Sequence, residues 1–156
     1  MTDAIEVRPV RREDVTAVIA LVSEVLSEFG LEFGVGTTTD DALRDLPASY
    51  EGGGGAFWVA IRGGDLLGTC GVFPVAPGSV ELRKMYLRPA ARGLRLGERL
   101  LDHAMAWARE RGAAQLVLDT VEEMSRAIAF YEAHGFVRDD AQRRGARCTR
   151  GYTLRL

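Results

Sequence analysis

The chain has 156 residues, 47% of them hydrophobic, and a formal net charge of −2. That length suits one domain, residues 1–156, with a real core, and no run approaches the ~18 uninterrupted apolar residues that a membrane span needs. The mild acidity and the lack of an interleaved aromatic platform argue against a nucleic-acid binder.

In chain order, "MTDAIEVRPV" has neither the basic region nor the long apolar segment of a signal peptide, so a cytoplasmic protein is expected. Within it, residues 4–10 alternate as a half-buried strand does. Asp14 stands where it can cap a helix running through "VTAVIALVSEVLSEF", with Val15, Val18, Ile19, Val22, Val25, Leu26 and Phe29 on one face. "DDALRDLPASY" reads as a short second helix interrupted by Pro47. "FWVAIR" and "LLGTCGVFPV" read as strands joined by the tight turn "GGD". A third strand, "VELRKMYL", follows the turn "APGS". A helix over about 95–111 carries the apolar stripe Leu96, Leu100, Ala104, Trp107 and Ala108, and stops at Gly112. "AQLVLDT" has the apolar core of a buried central strand. A helix from Met124 to His134 and a last pair of strands, "FVRDD" and "RCTRGYTLRL", complete the chain. The order is β-α-α-β-β-β-α-β-α-β-β, an α/β layout with a mixed sheet.

Cys70 and Cys148 lack metal-ligand spacing and read as reduced thiols, so no metal is expected. Residues 1–51 carry eleven acids against four bases, and residues 52–156 carry sixteen bases against eleven acids. Six bases fall within 83–99: Arg83, Lys84, Arg88, Arg92, Arg95 and Arg99. A solvated basic face would account for them. So would an anionic ligand on that segment, with a cationic one near the acidic half.

"RGLRLG" (92–97) places a glycine-bearing turn before a helix. Free N–H groups and the positive dipole end there attract phosphate; plain capping is the other reading. It lacks the Gly-Lys-Ser/Thr ending of a P-loop and the position of a dinucleotide fingerprint. The phase of "VELRKMYL" slips, because Val80 and Leu82 share one face while Met85 and Leu87 fall on the other. A bulge between the pairs would restore the phase and turn backbone groups outward.

Residues 80–137, with "VELRKMYL", "RGLRLG" and "AIAFYEAHGF", resemble the GNAT N-acetyltransferase superfamily, and "VRPVRREDVTAVIALV" extends the likeness more loosely. The resemblance implies a GNAT-like acyl-CoA N-acyltransferase fold: a mixed central sheet flanked by helices, with a splayed pair of central parallel strands. Arg92, Leu96 and Gly97 fit the Arg/Gln-x-x-Gly-x-Gly/Ala motif for coenzyme A pyrophosphate. Arg95 stands where the family usually has glycine, and Met124 where it often has asparagine. By the same resemblance, Arg92, Gly93, Leu94, Arg95, Leu96, Gly97 and Glu98 would hold the pyrophosphate. Met85, Tyr86 and Leu87 would face the pantetheine arm, with the Leu87 N–H as oxyanion donor; Ala127 would also contact the coenzyme, and Tyr131 would stand beside its sulfur. Tyr131 is implied as the general acid toward the departing thiolate; alone it would read as packing. Glu81 is implied as the general base, with Asp119 a weaker candidate; the other reading of Glu81 is a carboxylate paired with Arg83.

The implied activity is transfer of acetyl from acetyl-CoA to a primary amine of a small molecule or peptide by direct attack, with no metal, nucleic acid or membrane partner. Homodimerisation is left open. A non-catalytic acyl-CoA-binding module and an interaction domain without cofactor are the alternatives. The first turn of the helix is expected to be conformationally ordinary, so that an arginine at position 95 costs little.

Overall fold

In the computed structural model, which describes residues 4–156, the alternating N-terminal segment forms strand β1 (Glu6–Pro9). Helix α1 (Val15–Ser27) buries Val18, Leu21, Val22, Val25 and Leu26. Asp14 precedes it but does not cap it. Its backbone is already helical, at φ −84° and ψ −13°, whereas a capping side chain needs an extended residue to reach forward. The carboxylate turns back instead, accepting from the Arg8 guanidinium at 2.8 and 3.0 Å and from the Arg11 N–H at 2.7 Å. Pro47 divides the next segment into a 3-10 turn (Asp41–Asp45) and the short helix α2 (Ala48–Glu51).

Strands β2 (Ala56–Arg62) and β3 (Asp65–Ala76) form a hairpin. Its turn residues Gly63 and Gly64 both have positive φ, 56° and 87°, the twist that a two-residue hairpin requires. Then follow β4 (Ser79–Leu87), α3 (Leu96–Glu110), β5 (Gln115–Thr120), α4 (Ser125–Ala133), β6 (Val137–Arg138) and β7 (Arg150–Arg155). The sheet order is β1-β2-β3-β4-β5-β7-β6, with β4 and β5 parallel. One face packs with α3 and α4 around Leu82, Leu100, Ala104 and Leu118; the other packs with α1 around Val22, Leu26, Tyr50 and Val59. The mixed sheet flanked by helices is the expected fold class. The last strands are shorter than expected. β7 starts at Arg150, because residues 139–149 turn away as a loop held partly by the Asp119 carboxylate.

Two irregularities in β4 open a site. Thr69 lies opposite Tyr86 and Gly71 opposite Arg83, so Lys84 and Met85 together face Cys70. This is the bulge that the phase slip demands. Lys84 takes a left-handed φ of 53°, and the Thr69 hydroxyl donates to its carbonyl at 2.6 Å. Val80, Leu82, Met85 and Leu87 consequently all pack in one core. Glu81, Arg83, Lys84 and Tyr86 belong to the opposite face. In addition, β4 pairs with β5 only from Ser79 to Glu81, against Gln115 to Val117. Beyond Glu81 the two parallel strands splay apart.

Candidate active site

The splay opens a cavity of about 1070 Å³ between β4, β5, the N-terminus of α3, helix α4 and the loops around residues 34–41 and 144–148. At the start of α3, the Arg99 N–H donates to the Arg95 carbonyl at 3.2 Å. The amides of Leu96, Gly97 and Glu98 precede that bond and remain as donors. Gly93 reaches φ 86°. Arg95 has φ 58° and ψ 20°, so the expectation of an ordinary conformation there is wrong. The turn enters the helix through a left-handed residue. The family's usual glycine would meet this at no steric cost, whereas a side chain costs about 1–2 kcal/mol. Met124, where the family often has asparagine, sits just before α4 and lines the same cavity. Gly97 lies where an added Cβ would rest 3.4 Å from the Phe130 ring.

Arg92 does not stand free. It donates to Glu28 at 2.8 and 2.9 Å and to the Leu87 carbonyl at 3.1 Å, tying the turn to α1. That pairing lowers the Glu28 carboxyl from its ordinary value. Of the residues expected to hold a coenzyme, Met85, Tyr86, Leu87, Arg92, Gly93, Arg95, Leu96, Gly97, Glu98, Ala127 and Tyr131 line the cavity. Leu94 does not; its side chain is exposed at the tip of the turn.

On the strand side, the Arg88 N–H donates to the Leu67 carbonyl at 2.9 Å. Successive residues of a strand point their N–H groups to opposite edges. The Leu87 N–H is thereby turned toward the edge that β5 has left, and so is that of Met85. Tyr131, from α4, is buried against Phe130 and Phe136. Burial pushes its phenol above the ordinary value, with Tyr86 and Cys70 adding to the shift. His134 donates from Nδ1 to the Phe130 carbonyl at 2.7 Å, which closes α4.

Glu81 sits at the last paired position before the splay and is buried. One of its oxygens accepts from Arg83, and the other from Arg144 at 3.3 Å. Asp119 accepts from the backbone N–H groups of Arg144 and Gly145 at 2.6 and 2.8 Å. Beside them lies a cluster that the sequence did not reveal. Asp40, fully buried, accepts from Lys84 and takes both terminal nitrogens of Arg147, at 3.1 and 3.2 Å. Burial would raise the Asp40 carboxyl; Lys84, the Gly34 N–H and Arg147 together bring it below its ordinary value. Lys84 is lowered by burial against the pull of Asp40. Only Lys84 had a local sign, the phase slip of its strand; Asp40 and Arg147 are 107 positions apart. Phe130 is half-buried, packing against the core while lining the cavity.

These pairs account for part of the charge asymmetry. Lys84 meets Asp40, Arg88 meets Glu24 and Arg92 meets Glu28, so three acids of the first third are partners for bases of 83–99. Arg95 and Arg99 make no ion pair among the described residues.

The described residues contain no helix long and apolar enough to cross a membrane and no cluster of metal-ligating side chains. The sequence profile of the Acetyltransferase (GNAT) family matches residues 21–136. An uncharacterized N-acetyltransferase of Escherichia coli strain K12, YjgM, is 36% identical over 128 residues, covering 80% of this chain and 77% of that one. A GNAT-family acetyltransferase structure from Staphylococcus aureus Mu50 superposes with a TM-score of 0.89 at 22% identity, covering 97% of this chain and 99% of that one. The PaiA N-acetyltransferase of Thermoplasma acidophilum, solved in complex with coenzyme A, superposes with a TM-score of 0.74 at 18% identity over 98% and 99% of the two chains. With the splayed parallel strands, the bulge and the turn before α3 already in place, the profile and the relative establish that the chain belongs to the GNAT family of acetyltransferases.

Proposed function

We propose that the protein transfers an acetyl group from acetyl-CoA to a primary amine by direct attack in a ternary complex. One observation carries this reading. The splay after Glu81 brings the outward Leu87 N–H, the free amides of α3 and the Tyr131 phenol onto a single cavity. The chain's groups fit coenzyme A: the turn 92–98 offers amides and the Arg95 guanidinium to a pyrophosphate, and the gap offers strand backbone to an amide-bearing arm. The cosubstrate supplies the acetyl thioester. Leu87 donates a hydrogen bond to the carbonyl oxygen as negative charge develops there. A carbon–nitrogen bond forms, the carbon–sulfur bond breaks, the amine loses one proton and the thiolate gains one. Tyr131 gives the proton to sulfur; its raised phenol is protonated and available at neutral pH. Glu81 accepts the amine proton, directly or through water.

The second reading, a non-catalytic acyl-CoA-binding module, draws on the engagement of both Glu81 oxygens by arginines. An assay of coenzyme A release across an amine panel at several pH values separates the two. Release that depends on an amine supports the transferase. Thermal stabilisation by coenzyme A without release from acetyl-CoA supports the module.

A further inference from the structure

The face of the cavity formed by β4 and the loops around residues 34–41 and 144–148 holds more positive charge than its ion pairs balance. The Lys84 side chain is only 5% exposed, and Asp40 is its one anionic partner among the described residues. Arg147 occupies both oxygens of that same carboxylate, and the Gly34 N–H takes a further bond at 2.7 Å. The arrangement repeats along the strand, where buried Glu81 serves both Arg83 and Arg144. Two carboxylates thus face four cations. Asp119 lines the same cavity, held by backbone amides, and brings the count to three carboxylates against four cations; exposed Asp41 is spent on Arg44 at 3.6 Å. One positive charge remains in excess.

Donors are left over as well. Lys84 carries three protons and Asp40 takes one. Arg144 bonds Glu81 and Gln142 through Nη1, leaving Nε and Nη2 without a partner among the described residues. Buried charge without a counter-ion is costly, and an arginine fork with free donors matches a carboxylate.

We propose that the acceptor is an amine bearing a carboxylate on the same small molecule, such as an amino acid, and that Arg144 and Lys84 receive that carboxylate. This rests on the N-acetyltransferase reading and narrows its acceptor. The same cations disfavour a protonated amine beside them, which favours the neutral, nucleophilic form of the acceptor from which Glu81 takes a proton.

The test compares acceptors that differ only in the acid group: amino acids, their carboxamides and the corresponding decarboxylated amines, each with acetyl-CoA. The expected result is a kcat/KM for the amino acid at least about tenfold above that of its carboxamide. In Arg144→Gln that ratio should collapse toward one, mainly through KM, and Arg144→Lys should restore part of it. The Arg144 side chain is 38% exposed, so these variants are expected to fold, and an unchanged thermal shift with coenzyme A checks it. Carboxamides, decarboxylated amines or polyamines used as well as or better than the amino acids would overturn the proposal while leaving the transferase intact. So would an Arg144→Gln variant that loses equally on both acceptor types. Failure of every amine tested, whatever its charge, to produce coenzyme A release overturns both readings together.

Discussion

Arg95 shows how one residue can look harmless in a sequence and be strained in the fold. The motif needs a left-handed residue between Gly93 and α3, and the chain puts a guanidinium there. Arg95→Gly should therefore stabilise the protein by about 1 kcal/mol in urea denaturation. It should also weaken coenzyme A several-fold, more at low salt than at high, because a charge that reaches phosphate is screened. An unchanged affinity would mean that the turn binds through backbone alone. Tyr131 lies at the other end of the gap, its phenol held protonated by burial. Tyr131→Phe should lower kcat by about 10²-fold or more while leaving the coenzyme A thermal shift intact. Because its titration is moved upward, Tyr131 should not be the source of any loss of rate just above neutrality. The sequence located both residues by motif. It could not show the left-handed backbone, since φ at position 95 is set by how the turn meets β4 and α3.

At the scale of elements, the bulge in β4 is the part of the site most legible beforehand. A strand that must keep Val80, Leu82, Met85 and Leu87 in one core cannot run in strict alternation, so an extra residue is forced at Lys84. Thr69 pins that residue through its carbonyl. Thr69→Val keeps the shape but leaves the buried carbonyl short of a donor, which should cost about 1–3 kcal/mol. The variant should also raise KM for acetyl-CoA, because the Met85 and Leu87 amides take their direction from the bulge; a urea melt and a KM measurement together check this. The loop 139–149 was illegible for the opposite reason. Its "RCTR" segment reads as extended chain, and what bends it is the Asp119 carboxylate, 25 positions upstream of Arg144. Contacts of that range leave no periodicity to read, and so Arg144 and Arg147 escaped notice.

Across the whole molecule, ion pairs join segments distant in sequence: Arg88 to Glu24, Arg92 to Glu28, and Lys84 and Arg147 to Asp40. The first two are at the surface and contribute little each. The Asp40 cluster is buried, and removing its only acid leaves two cations facing each other. Asp40→Asn should cost about 3–5 kcal/mol at neutral pH. The sign of its pH dependence follows from the lowered carboxyl. Its stabilisation is full above the unfolded-state value of ~3.9 and fades as pH falls through the lower folded-state value. Urea denaturation should therefore find the gap between Asp40→Asn and the parent narrowing in acid. The seven-stranded sheet itself is held across its middle by three residue pairs, Ser79 to Glu81 against Gln115 to Val117. Mechanically it is two smaller sheets, of four and three strands, sharing a short seam. An occupant hydrogen-bonded to both lips of the gap would behave as a missing strand, so that filling the site and stiffening the molecule become the same event.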